Sequence, residues 1–198
     1  MTPGKKGFEL RLGEILILNG WITWDQLEKA LEVRKQTHEK ISDILVYKGL
    51  VTAPQGQLLH LGEIMVQKNM ITWEQLAEGL KVQRQTGNIL GEILFQKGYV
   101  TLQELYQALA LQYEKVFVDF SKITIQKEAL EALPKRLAYQ YRVMPLVLQD
   151  GVLLIAISNP NDVRPEAELP AAIDLDVQTA LAPPDDINAA LRKHYGSE

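Results

Sequence analysis

Cysteine is absent from all 198 residues of the chain. Its absence excludes a disulfide framework, a thiolate zinc site and a cysteine nucleophile. The three histidines, His38, His60 and His194, are scattered without the spacing of metal ligands, so no metal site is predicted. The sequence also lacks a G-x-x-x-x-G-K-[ST] phosphate loop and a G-x-S-x-G nucleophile elbow. We therefore predict no ATP hydrolysis, no catalytic residue and no enzyme activity.

An excess of positive charge and long apolar runs are missing as well. The 21 Lys and Arg residues against 25 Asp and Glu give a net charge of −4. Binding to DNA or RNA needs a basic face and is not expected. The apolar run at 152–157 is far shorter than the roughly 20 residues of a membrane helix, and no apolar segment follows the charged N-terminus as in a secretory signal. We expect a cytoplasmic protein without membrane insertion.

A repeated Leu-Gly-Glu-Ile pattern organises the first half of the chain. It occurs at 12–16, 61–65 and 90–94, with a weaker copy at 41–45. Each copy carries apolar residues at helical spacing and is followed by a turn and a second apolar segment. The pattern predicts a series of helix–turn–helix hairpins. The weaker copy, which is the second along the chain, is shorter than the others between 52 and 61. Pro54 and Gly56 lie in this stretch and disfavour a helix interior, so we expect the second helix of this copy to be missing.

Turn and cap residues recur at the same positions of each hairpin. Left-handed residues are expected to end the first helices at Gly20, Gly49, Asn69 and Gly98. Capping boxes are expected from pairs three residues apart: Thr23 with Gln26, Thr72 with Gln75, and Thr101 with Glu104. Glycines inside the first helices, at Gly13, Gly62 and Gly91, indicate close approach either to a neighbouring helix or to a ligand.

The second half has a mixed pattern. Short strands are predicted at 116–120, 143–148, 152–157 and 174–181, and short helices at 127–133, 134–140 and 186–194. The Asp150-Gly151 pair is a hairpin signal between the second and third strands. We predict an α+β protein in which N-terminal repeated helical hairpins pack on a small C-terminal α/β sandwich with a short sheet.

Taken together, the repeat and the segments 110–112 and 116–120 resemble the N-terminal domain of type II secretion and type IV pilus assembly ATPases. Further segments fit the same domain: 133–134, 141–146, 155–157, 159–162 and 191–196. We interpret 8–59 as a degenerate extra hairpin pair, 60–115 as an intact hairpin pair and 116–196 as a small α+β subdomain. The resemblance implies a non-catalytic docking or regulatory module that contacts a secretion or pilus motor or platform protein.

One branch of that family, the MshE type, binds cyclic di-GMP through two motifs of equal length separated by a short spacer. Each motif begins Arg-Leu-Gly and ends in Gln. Segments 60–83 and 89–112, with the spacer 84–88, reproduce this geometry. However, His60 and Ile89 stand at the arginine positions, and an isoleucine offers neither the charge nor the hydrogen bonds of a guanidinium.

The first hairpin pair departs from the motif in another way. Arg11 and Lys40 occupy the arginine positions, but Arg34 replaces the closing glutamine. A composite site that uses Arg11 stays open, and cyclic di-GMP is the one small ligand implied, with no cofactor required. The candidate contacts are Arg11, Leu12, Gly13, Lys40, His60, Leu61, Gly62, Gln83, Leu90, Gly91 and Gln112.

Two tryptophans are candidates for protein contacts. Trp24 and Trp73 each follow the N-cap threonine of a second helix. They could be exposed docking anchors, because tryptophan is enriched in binding hot spots. They could equally hold the turn against a neighbouring hairpin. We therefore carry two hypotheses: a docking module, and a cyclic di-GMP sensor as the alternative.

Overall fold

The structure is a computed structural model that describes residues 16–17, 22–39, 41–51 and 53–196, with no side-chain description for 53–59. The predictions for Arg11, Leu12, Gly13, Gly20 and Lys40 lie outside these residues. The chain divides into two compact units, Met1–Thr101 and Leu102–Glu198. This boundary falls inside the predicted hairpin pair 60–115, so the boundaries derived from the sequence at 59/60 and 115/116 stay predictions.

Where the structure describes it, the first unit is mainly helical. From residue 22 onward its helices are α1 (Trp24–Thr37), α2 (Ile41–Tyr47), α3 (Ala53–Gln67), α4 (Trp73–Thr86) and α5 (Leu90–Gln96). Each helix contacts the next one along the chain. The apolar positions of the repeat supply the buried core, which includes Leu27, Ile44, Leu45, Met65, Leu76, Leu80, Leu90 and Leu94.

The predicted caps are present at two helix starts. In α4 the backbone N–H of Gln75 donates to Thr72 Oγ1 at 3.2 Å, and the N–H of Thr72 donates to Gln75 Oε1 at 2.8 Å. Thr23 and Gln26 form the same box at the start of α1. Such a cap contributes about 1 kcal/mol because it satisfies N–H groups that have no partner within the helix.

The predicted left-handed residues are also confirmed where the structure describes them. Gly49, Asn69 and Gly98 have φ values of 65°, 55° and 70°. Asparagine tolerates this region better than most residues, which explains why Asn69 can stand where the other copies have glycine.

The shortened second copy differs from the prediction. Residues 53–60, where the sequence predicts that a helix is missing, are helical, because α3 runs without interruption from Ala53 to Gln67. Pro54 lies in the first turn, where its missing N–H and fixed φ are tolerated. The second copy therefore shares one continuous helix with the first helix of the third copy.

Residues 102–196 of the second unit form five helices and a small sheet. The helices are α6 (Leu102–Gln112), α7 (Lys127–Ala132), α8 (Lys135–Tyr141), α9 (Arg164–Ile173) and α10 (Pro184–Tyr195), and the strands are β1 (Met144–Gln149), β2 (Val152–Ile157) and β3 (Asp176–Leu181). β1 and β2 form the predicted antiparallel hairpin, and β3 lies parallel to β2 after the crossover through α9. Asp150 and Gly151 both have positive φ, as the tight turn requires. The predicted α+β class is confirmed.

The predicted strand at 116–120 is reduced to a single bridge. Phe117 pairs in parallel with Leu181, and the N–H of Val118 donates to the carbonyl of Leu181 at 2.8 Å. The segment therefore only extends the end of β3.

Polar side chains cover both edges of the sheet. Gln126 Oε1 accepts from the N–H of Leu148 in β1 at 2.9 Å, and Glu166 Oε1 accepts from the N–H of Thr179 in β3 at 3.1 Å. Covered edge groups discourage pairing with strands of other chains.

Candidate functional site

The hairpin α3–α4 contains four candidate contacts for cyclic di-GMP. His60, Leu61 and Gly62 lie on α3, and Gln83 lies near the end of α4. A Cβ added at Gly62 would lie 2.6 Å from Leu76 Cδ1, and Leu76 is fully buried. This glycine is therefore explained by the close approach of the neighbouring helix, which was one of the two predicted reasons.

Helix α5 packs against α4 and brings two further candidates into the same unit. Leu90 and Gly91 are buried in the first turn of α5. A Cβ added at Gly79 of α4 would meet Leu90 Cδ1 and Leu94 Cδ2 at 3.0 Å each. Glycines therefore allow close packing both between α3 and α4 and between α4 and α5.

Gln83 carries an unusual polar atom. Its Oε1 is buried and accepts no hydrogen bond from any part of the chain that the structure describes. A buried acceptor without a donor costs about 1–3 kcal/mol, which a bound group with an N–H or O–H would remove. Gln112 lies on α6, in the second unit, and takes part in an interaction of its own.

The residues at the arginine positions have different environments. Ile89 immediately precedes α5 and is 61% exposed, whereas His60 is half-buried and already engaged in an interaction. Arg34, which replaces the closing glutamine of the first motif, donates from Nε to the carbonyl of Glu39 at 3.2 Å. Arg11, Leu12, Gly13 and Lys40 lie outside the described residues.

The two candidate docking tryptophans differ in exposure. Trp24 is 59% exposed at the first residue of α1. Trp73 holds the same position in α4 but is half-buried and takes part in a further interaction. Trp24 therefore has the accessible indole that a docking anchor needs, and Trp73 has less of it.

An ionic cluster that the sequence analysis missed links α4 to the turn after α5. Lys97 Nζ lies 2.8 Å from Glu78 Oε1, and the Tyr99 hydroxyl donates to Glu78 Oε2. The hydrogen bond from Lys97 lowers the pKa of Glu78, and Glu78 raises the pKa values of Lys97 and Tyr99. No local motif predicts it, because Glu78 and its partners are about 20 residues apart. Its role is to hold this turn.

The second unit contains a cavity that sequence reasoning also missed. Its volume is about 760 Å³, and it lies between α6, the segment 119–125 and α10. The lining residues are Gln103, Gln107, Asp119, Phe120, Ser121, Lys122, Ile123, Thr124, Ile125, Asp186, Ala189, Ala190, Lys193 and His194. The volume is in the range of ligand-binding pockets.

Two features are absent from the residues that the structure describes. Within them, no three histidine, aspartate or glutamate side chains converge as a metal site. No helix among the same residues has the length and apolar character needed to cross a bilayer.

Comparisons with known proteins bear on the family. Residues 109–198 match the model of the MshEN domain. A structure of MshE with cyclic di-GMP is similar over 68% of this chain and 98% of its own, at 26% identity and a TM-score of 0.55. Two structures of the N-terminal domain of XpsE have 17% and 18% identity, TM-scores of 0.49 and 0.41, and cover 71% and 68% of this chain and 96% and 94% of their own. No curated protein sequence matches the chain.

The family match covers most of the second unit, including the sheet and α10. The similarity to MshE extends over about two thirds of the chain and therefore reaches beyond that unit. Residues 109–198 thus resemble an MshEN domain, and the predicted resemblance of the chain to the N-terminal domain of type II secretion and type IV pilus assembly ATPases is confirmed.

Proposed function

We propose that the chain is a non-catalytic docking module that contacts a motor or platform protein of a secretion or pilus system. The observation that carries this proposal is Trp24, a large aromatic side chain that is 59% exposed on a capped, well-packed helix. A rigid aromatic anchor loses little conformational entropy on binding and is a frequent hot spot. The predicted cytoplasmic location is part of this proposal.

Binding to the cytoplasmic domain of a candidate platform protein, and to the ATPase domain of the same system, tests the proposal. We expect Trp24→Ala to weaken binding to one of them at least tenfold, as loss of a hot spot does. Tyr47→Ala is the matched control, because Tyr47 is an aromatic residue of the same unit that is 90% exposed. Equal affinities of wild type and Trp24→Ala would contradict the proposal, and ATP turnover by the chain alone would contradict its non-catalytic part.

The alternative function is a cyclic di-GMP sensor, and one observation favours it. The buried Oε1 of Gln83 closes the motif 60–83 and has no donor among the described residues. The relative MshE has been solved with cyclic di-GMP. The exposed Ile89 weighs against this ligand, because it offers no group for a phosphate or a guanine edge.

A thermal titration with cyclic di-GMP tests the sensor hypothesis. Ligand at 100 times its dissociation constant stabilises a protein by about 2.7 kcal/mol and raises its melting temperature. We expect Gln83→Leu to raise the dissociation constant for cyclic di-GMP at least tenfold without loss of stability in the free protein. Gln85→Leu is the control, because Gln85 is exposed two residues further on. No response at high micromolar ligand, or equal responses of both variants, would rule out the sensor.

A further inference from the structure

The cavity in the second unit is built on one face of α10. Asp186, Ala189, Ala190 and Lys193 are spaced as i, i+3, i+4 and i+7, so they lie on the same side of the helix. The two alanines leave room between an acidic and a basic side chain. At about 1.5 Å of rise per residue, Asp186 and Lys193 are about 10 Å apart along the axis.

Some polar groups of the cavity are already bound to one another. Asp119 contacts Lys122 Nζ at 2.8 Å and accepts from the backbone N–H and the hydroxyl of Ser121 at 3.0 and 2.6 Å. Gln103 Nε2 donates to Asp186 Oδ2 at 2.9 Å, which holds that carboxylate in place. These pairs form fixed walls and offer little to a ligand.

Other polar groups are available. Across the described part of the chain, Lys193 and Gln107 have no hydrogen-bond or ion-pair partner, and Oδ1 of Asp186 has none either. The cavity therefore presents one carboxylate oxygen, one ammonium group and one amide with a free donor and a free acceptor, beside the polar side chains of Thr124 and His194, which also line it. These charges cancel, so the cavity is suited to a ligand with charges of both signs rather than to a simple anion.

We propose that this cavity binds an extended peptide segment of a partner protein in which a basic and an acidic residue are three positions apart. In the polyproline II form an extended chain has three residues per turn and rises about 3.1 Å per residue, so side chains three positions apart lie on the same side of the peptide. They are about 9 Å apart, which is close to the distance along the axis from Asp186 to Lys193. The amide of Gln107 matches a backbone peptide group, and Phe120 and Ile125 supply apolar wall. The inference rests on the proposed docking function and adds a second surface, in the unit that does not contain Trp24.

The experiment uses the full chain and a labelled, end-blocked peptide with the core Arg-Ala-Ala-Asp, followed by fluorescence anisotropy and by amide shifts in NMR spectra. A peptide with the core Arg-Asp-Ala-Ala has the same composition but adjacent charges, and we expect it to bind at least threefold more weakly. Lys193→Gln and Asp186→Asn should each raise the dissociation constant roughly two- to fivefold, the range for one partly exposed ion pair.

Two further variants separate the groove from general electrostatics. Ala189→Phe should abolish binding by filling the groove, and the exposure of Ala189 allows the variant to fold, which circular dichroism checks. Arg136→Gln removes an exposed positive charge elsewhere in the unit and should leave binding unchanged. Three results would each overturn the proposed peptide site. They are equal binding of both peptides, equal effects of Arg136→Gln and Lys193→Gln, and the absence of amide shifts on α6 and α10. The docking function would survive that result if Trp24→Ala still weakened binding of the partner.

Discussion

Replacing Gly62 by alanine tests the close packing of α3 on α4. The new Cβ would lie 2.6 and 2.9 Å from the two methyl carbons of Leu76, whereas carbon atoms prefer about 3.5–4.0 Å. Leu76 is fully buried, so it has no solvent-facing space to move into. Overpacking of this kind costs about 1–3 kcal/mol, and the better helix propensity of alanine returns about 1 kcal/mol. We expect a net loss of about 0–2 kcal/mol in the free energy of unfolding, measured by urea denaturation.

A matched variant and a double variant sharpen this test. Gly79→Ala is milder, because its Cβ would meet Leu90 and Leu94 at 3.0 Å, and it should be more stable than Gly62→Ala. In the double variant Gly62→Ala/Leu76→Ala the clash is gone, and the new methyl group at position 62 partly fills the space left by the truncated Leu76 side chain. The double variant should therefore be more stable than the sum of the two single effects by about 1 kcal/mol. If Gly62→Ala gained the full helix-propensity increment, the packing argument would be wrong.

Three further predictions concern single side chains. Ser42→Ala should leave stability unchanged or raise it by up to about 1 kcal/mol in urea denaturation, because Ser42 Oγ is buried without a partner among the described residues; a clear loss would contradict this. Burial raises the pKa of Tyr195 to about 12, so its contribution to stability is complete below about pH 10 and is lost as the pH rises through 12. Tyr195→Phe should cost about 1 kcal/mol at pH 7, by loss of hydrogen bonds to Leu130 and Leu133, and should weaken the alkaline loss of stability. The hydrogen bond from Lys122 lowers the pKa of Asp119 to about 2. The stabilising effect of the Asp119 carboxylate is therefore present above about pH 4 and is lost as the pH falls through 2. Lys122→Gln should raise the pKa of Asp119, which an NMR titration measures.

The sequence predicted those features that depend on residues close together in the chain. The Thr72 capping box, the left-handed Asn69 and the Asp150-Gly151 turn each need only three or four neighbouring residues. Their physical signals are local, so they can be recognised without coordinates.

The features that were missed depend on distant residues or on helix context. The bond between Gln103 and Asp186 joins positions 83 apart, and Gln126 covers β1 from 22 residues away. The continuous helix α3 is not evident from the sequence for another reason. Proline disfavours a helix interior, but Pro54 lies in the first turn of α3, where proline is tolerated.

The repeat itself separates structural positions from candidate functional ones. Positions that stay nearly constant between copies, such as Gly62 and Thr72, are explained by packing and capping alone. Other positions vary between copies and are exposed or half-buried: an exposed isoleucine at 89 against a half-buried histidine at 60, and a half-buried leucine at 102 against an exposed tryptophan at 24. A fold built from repeats needs the same contacts in every copy, but a ligand or a partner contacts each copy differently. Binding specificity in this chain should therefore lie in the varying positions, and exchanging Trp24 and Ile89 should alter binding while leaving the helices intact.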